Sequence, residues 1–136
     1  MEERQLITCL LYTSDAAGGK TVNNTKIPVT VVYSDDKGEN WTTCELDKIY
    51  TADYYYVKFF DSDNGVIVCG YAKSNDTNES SRIYSTSNGG ESWDIVGSGP
   101  ATNIIKGVVY VSSDVGFFCY DYVEGMDSNL YKTDDG

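Results

Sequence analysis

Apolar residues come in short runs along this chain, and clusters of Asp, Asn, Ser and Gly close each run off. Leu6 to Tyr12, Tyr55 to Phe60, Val66 to Tyr71 and Ile104 to Val111 are rich in aromatic and β-branched side chains. Runs of this length and composition predict strands. Asp63-Asn64-Gly65 lies between two of them and is hairpin-turn chemistry, because Asn and Gly tolerate a positive φ. Val66 to Tyr71 is almost continuously apolar, which predicts a strand covered on both faces. Arg82 to Ser85 and Ser92 to Val96 complete a four-strand meander, with a polar loop over residues 74–81. Gly116 to Tyr122 and Asn129 to Lys132 continue the pattern. No window carries apolar residues at helical spacing between caps, so the expectation is an all-β chain.

The polar clusters repeat as well. Ser34-Asp35-Asp36-Lys37-Gly38-Glu39-Asn40-Trp41 returns as Thr86-Ser87-Asn88-Gly89-Gly90-Glu91-Ser92-Trp93. Thr133-Asp134-Asp135-Gly136 begins a third copy. Trp41 and Trp93 are 52 residues apart, and so are Asp36 and Asn88; Asn88 and Asp135 are 47 apart. A second landmark, Phe60 to Gly65, recurs 51 residues later as Val111 to Gly116. A period of about 50 residues suits one four-stranded unit per repeat. Within the turn, the Ser or Thr hydroxyl and the Asp or Asn side chain serve as acceptors for loop N–H groups that have no ladder partner. Gly38 and Gly90 supply backbone freedom, and Trp41 and Trp93 supply aromatic area to pack across the hairpin.

This Ser/Thr-x-Asp/Asn-x-Gly-x-x-Trp pattern resembles the Asp-box, or BNR repeat, of β-propellers such as sialidases, sortilin-type receptors and photosystem II stability factors. The resemblance covers roughly residues 26–136. It implies a partial propeller of about 2.7 four-stranded antiparallel blades, with each box at the tip of the hairpin between a third and a fourth strand. The family places this hairpin at the rim, away from the ligand face. Ser34, Asp36, Gly38, Trp41, Thr86, Asn88, Gly90, Trp93, Thr133 and Asp135 are therefore expected to be structural. The third copy stops one Gly and one Trp short of completion, which predicts a truncated repeat.

The start of the chain carries its own question. Cys9 to Ala17 resembles the translation of a sequencing-library adapter, which makes residues 1–17 a doubtful segment and 18–136 the partial propeller. Ile7-Thr8-Cys9 also aligns with Ile67-Val68-Cys69 as a second strand, and the apolar run Leu6 to Tyr12 has strand character under either reading.

Charge narrows the partners. The net charge of −11 argues against nucleic acid, whose phosphates require a basic face, and against anionic membrane surfaces. No basic, apolar leader opens the sequence and no apolar stretch is long enough to span a bilayer. Asn23, Asn40, Asn75 and Asn78 begin Asn-x-Ser/Thr triplets, which polar-loop composition explains. Cys9, Cys44, Cys69 and Cys119 lie far apart, and His is absent, so neither a zinc site nor any other metal or cofactor is expected. Cys69 and Cys119 fall near the same place in successive repeats, which predicts buried free thiols.

Three further constellations have plain structural readings. Asp61-Ser62-Asp63-Asn64-Gly65 fits a hairpin better than a calcium loop, because Gly65 and Ala72 occupy ligand positions. Gly97-Ser98-Gly99-Pro100 reads as a connection between units. Tyr54-Tyr55-Tyr56 reads as alternating burial, with a sugar-stacking platform as the rival.

The family resemblance leaves two functions open. A sialidase-like exo-glycosidase needs three Arg for the substrate carboxylate, a Tyr–Glu nucleophile pair and an Asp acid/base. This chain has Arg4 and Arg82 alone, so such residues would lie outside it. The texture from Phe59 to Tyr71 is closer to stability-factor and sortilin-like repeats, which implies a non-catalytic binding or scaffold module. The expected partner is a protein or a glycan, in an extracellular or cell-surface setting, with self-association through open sheet edges.

Overall fold

The computed structural model describes residues 9–12, 21–22, 25–26, 29–47, 52, 54–70, 81–99, 104–121 and 130–136. In chain order the strands are β1 (Cys9–Tyr12), β2 (Thr21–Val22), β3 (Thr25–Lys26), β4 (Val29–Tyr33), β5 (Thr42–Glu45), β6 (Tyr54–Phe59), β7 (Gly65–Gly70), β8 (Arg82–Thr86), β9 (Asp94–Ser98), β10 (Ile105–Tyr110), β11 (Gly116–Tyr120) and β12 (Leu130–Thr133). Every described pairing is antiparallel, and no helix occurs among the described residues. The chain is all-β, as its periodicity predicts. The ends of the predicted runs at Tyr71, Tyr122 and Asn129, the loop at 74–80, and the triplets at Asn23, Asn75 and Asn78 lie outside the described residues.

Three larger sheets carry the fold. The first has the order β1-β4-β5, the central one β6-β7-β8-β9, and the third β10-β11-β12; β2 and β3 form a small hairpin. Cys9 pairs with Val32 and Tyr12 with Val29, so the segment that resembles an adapter supplies a ladder strand to the first sheet.

The central sheet is sandwiched, and alternation along its strands decides what each residue meets. Ile67, Cys69, Tyr84 and Trp93 form one core with Val29, Val31 and Leu46 of the first sheet and its margin. Val66 and Val68 form the other core with Ile105, Tyr110, Phe118 and Tyr120 of the third sheet. This is why all six positions of β7 are buried. Each large apolar side chain removed from water in this way contributes about 1.5–3 kcal/mol.

Polar contacts add a stitch between sheets. The N–H of Tyr110 donates to the Tyr56 hydroxyl at 3.0 Å, and the Lys58 ammonium donates to the Tyr110 carbonyl at 2.6 Å. Two side chains of β6 thus satisfy backbone groups of β10 on the edge away from β11.

The stack does not close on itself among the described residues. The outward face of the third sheet exposes Val109, Val111 and Leu130, and Trp41 is exposed beside the first sheet.

Candidate functional site

The first two repeated turns share their hydroxyl-centred hydrogen bonds and differ at the seventh residue, whose side chain donates to the third residue in one turn and accepts from it in the other. The Ser34 hydroxyl, buried at the end of β4, donates to Asp36 Oδ1 at 2.8 Å. It accepts from the N–H groups of Gly38 at 2.8 Å and Asp36 at 3.4 Å. Asp36 then accepts from the Asn40 N–H at 2.8 Å and from Asn40 Nδ2 at 2.5 Å. The backbone N–H of Asn40, then its side chain, then the Ser34 hydroxyl hold the Asp36 carboxyl down at about 2.

In the second turn the Thr86 hydroxyl donates to Asn88 Oδ1 at 2.9 Å and accepts from the N–H of Gly90 at 3.0 Å and of Asn88 at 3.3 Å. Asn88 accepts from the Ser92 N–H at 3.0 Å, and its Nδ2 donates to the Ser92 hydroxyl at 2.8 Å. At the third turn Thr133 donates to Asp135 Oδ1 at 3.0 Å.

A feature hidden in the sequence is the fourth position of the turn. Lys37, Gly89 and Gly136 all have positive φ, at 62°, 72° and 81°. The fifth position follows suit, with Gly38 at 89° and Gly90 at 93°. Two successive left-handed residues swing the chain back, and Gly accepts this without the Cβ clash that a side chain incurs.

The turns are also tied to their neighbours. The Gly89 N–H donates to the carbonyl of Asp63 at 2.9 Å, and the Gly136 N–H donates to the carbonyl of Asp114 at 2.8 Å. Asp63 and Asp114 occupy the same place in the β6–β7 and β10–β11 hairpins. Those hairpins match further, with Phe60 N–H donating to Asn64 O at 2.8 Å and Val111 N–H to Val115 O at 2.9 Å. The two landmarks of the sequence repeat are thus one hydrogen-bonded unit, built twice.

The two Trp differ. Both pack back on their own turns: a Cβ on Gly38 would lie 3.5 Å from Trp41 Cζ2, and one on Gly90 would lie 3.6 Å from Trp93 Cζ2. Trp93 is 8% exposed and meets Phe59 edge-on, with ring centroids 5.8 Å apart, whereas Trp41 is 47% exposed. The first sheet covers Trp93, and no described element covers Trp41. The buried Trp93 Nε1 has no hydrogen-bond partner among the described residues.

The remaining candidates settle into structural roles. The Asp61 carboxylate accepts the N–H groups of Asp63 and Asn64 at 2.8 and 2.7 Å, which is an Asx turn, and the Asn64 side-chain amide, followed by the backbone N–H groups of Asn64 and Asp63, lowers its pKa. No cluster of three metal-ligating side chains occurs among the described residues. Tyr54 and Tyr56 pack toward the third sheet and Tyr55 toward the first, the alternation read from the sequence. Arg82 is half-buried at the start of β8. Gly99 donates its N–H to the Ser81 carbonyl at 3.0 Å, which anchors the connection leaving β9; Pro100 lies outside the described residues.

The thiols split, and one expectation needs correcting. Cys44, Cys69 and Cys119 are free, and Cys9 falls where side chains are not described. Cys69 is buried and its pKa is driven up by desolvation. Cys119 is half-buried. The hairpin landmarks place Cys119 opposite Val68 in the repeat, one residue away from Cys69. Its neighbours Phe118 and Tyr120 face the central sheet, so Cys119 faces away from it.

One concavity was not foreseen. A cleft of about 400 Å³ opens between the outer half of the central sheet and β11–β12. Ile83, Ser98, Gly99, Phe118, Tyr120, Tyr131, Lys132 and Thr133 line it. Tyr120 and Tyr131 meet edge-on with centroids 5.4 Å apart. Tyr120 shares a buried hydrogen bond of 3.1 Å with the Ser81 hydroxyl, and burial pushes its phenol pKa up. Lys132 is paired with Asp134 at the rim. The lining contains no carboxylate. A recurring Tyr was the available signal, because Tyr84 and Tyr131 each stand two residues before the turn hydroxyl.

Compared with known protein families, with curated proteins and with solved structures, the chain finds no match.

Proposed function

We propose that this chain is part of an extracellular or cell-surface Asp-box propeller and serves as a non-catalytic binding scaffold, with the Tyr120–Tyr131 cleft as its ligand contact. The three stacked sheets correspond to blades, and the repeated turns to Asp-boxes at hairpin tips. The ligand is a protein or a glycan. An aromatic floor with a hydroxyl and an ammonium at the rim offers stacking area and hydrogen bonds to a sugar ring or an extended peptide.

The observation that carries this reading is the chemistry of the cleft lining. Glycoside hydrolysis commonly uses two carboxyl groups flanking the scissile bond, one of them held protonated. The cleft is lined by none. Asp36 and Asp61 are each committed to turn N–H groups, which lower their pKa values and so make them poor proton donors at neutral pH.

Calorimetric titration of residues 1–136 with a panel of neutral and sialylated oligosaccharides and of extended peptides tests the proposal. Binding by a member of the panel, weakened about tenfold or more by Tyr131→Ala, is expected. Turnover of a fluorogenic sialoside by the purified chain would overturn it.

A further inference from the structure

The chain carries both halves of an interface that it already makes twice within itself. On the central sheet, Phe60, Val66 and Ile83 are covered by the third sheet. The hairpin and turn landmarks map these positions onto Val111, Phe117 and Leu130 of the third sheet. There the same face is open, with Val111 and Leu130 more than half exposed and Val109 half exposed. On the other side, Trp93 and Tyr84 of the central sheet are covered by the first sheet. Their counterparts in the first sheet are Trp41, which is exposed, and Val32, which is half-buried.

We propose that a second copy of this chain docks its Trp41 face on the Val109–Val111–Leu130 face, head to tail. The argument is continuity with an established interface. First sheet on central sheet, and central sheet on third, are the same packing repeated, and a copy placed on the third sheet's open face extends the series by one step. Single-copy packing leaves these apolar side chains in water, where a contiguous patch favours association. The contact is heterologous, so each copy has one face of each kind to offer. On the propeller reading proposed above, two copies of the three larger described sheets make six, within the four to eight that close a ring of that kind. The expected assembly is a two-fold dimer with two identical junctions, not a face-to-face pair that uses one face twice. The inference goes beyond ligand binding and does not depend on the cleft.

Sedimentation velocity on residues 1–136 across a wide concentration range tests it. The expected result is a concentration-dependent dimer. Val109→Asp, Leu130→Asp and Trp41→Asp should each weaken it at least tenfold, since each places a charge in a desolvated junction. Mixing Leu130→Asp with Trp41→Asp should restore pairing through the one intact junction. Far-UV circular dichroism checks that each variant stays folded, and Val109→Asp replaces Leu130→Asp if that one does not. A chain that stays monomeric would show that something other than a second copy covers this face. A dimer unaffected by Trp41→Asp would show that two third-sheet faces pair. Either result overturns the proposal.

Discussion

Phe59 and Gly65 stand opposite each other across the β6–β7 ladder, and the Phe59 ring fills the space a side chain on Gly65 would need. A Cβ placed there would lie 2.8 Å from Cδ1 and Cε1 of the ring. Tyr110 and Gly116 repeat the relationship across β10 and β11, at 2.9 Å. These pairs explain why β7 and β11 each begin with Gly. The aromatic ring of the first strand lies over its partner's bare backbone and then reaches the core between sheets.

Gly65→Ala and Gly116→Ala are therefore expected to destabilise the chain by about 1–3 kcal/mol each, the ordinary range for overpacking. Urea unfolding followed by Trp fluorescence measures the shift. Gly107→Ala is the control, because nothing lies within 4 Å of a Cβ built there.

Thr86 anchors the second turn with a buried hydroxyl that accepts two backbone N–H groups. Thr86→Ala leaves both donors without that acceptor and is expected to cost about 1–3 kcal/mol. Thr86→Ser keeps the oxygen, as Ser34 does in the first turn, and should cost about 1 kcal/mol or less. Thermal unfolding of the two variants separates the hydroxyl from the methyl.

Asp36 gives the first turn a dependence on pH that the second lacks, because Asn88 stands in its place and does not titrate. Its folded pKa of about 2 lies below the ordinary 3.8, so its contribution to stability is fully present above the ordinary value and is lost as pH falls through about 2. Asp36→Asn keeps an acceptor without the charge. The difference in Tm between the native chain and this variant should be constant at neutral pH and shrink between pH 4 and 2. Melting curves across that range check it, and a difference independent of pH would contradict the assignment.

Thiol accessibility follows the sheet faces. Cys44 and Cys119 are half-buried, whereas Cys69 is enclosed between the first and central sheets. An alkylating reagent at mildly alkaline pH should label Cys119 and Cys44 in the folded chain. Burial and the adjacent Glu45 carboxylate both raise the Cys44 pKa and slow its labelling. Cys69 should react only after denaturant is added. Peptide mass spectrometry reads each site separately.

Strands, hairpins and repeated turns were legible in the sequence because each rests on local physics. Alternation and apolar runs follow from the pleat, and Ser/Thr-x-Asp/Asn-x-Gly from hydrogen bonds that close within a few residues. The β6–β7 hairpin was legible too, but neither Asn64 nor Gly65 takes a positive φ there. The Asp61 carboxylate holds the turn instead, through the N–H groups of Asp63 and Asn64. The positive φ at Lys37 was hidden, since nothing in a lysine announces a left-handed backbone. What lies on either side of a sheet was decided by tertiary structure alone. Trp41 and Trp93 share a motif yet differ in exposure, because a neighbouring sheet covers only one of them. Cys69 and Cys119 lie near the same repeat position yet face opposite ways, because one step along a strand turns a side chain to the other face. The Tyr120–Tyr131 cleft likewise joins β8, β9, β11 and β12, distant in sequence, and it exists only once the central and third sheets are packed together. Short-range geometry is written in neighbouring residues; burial depends on which surface arrives from elsewhere in the chain.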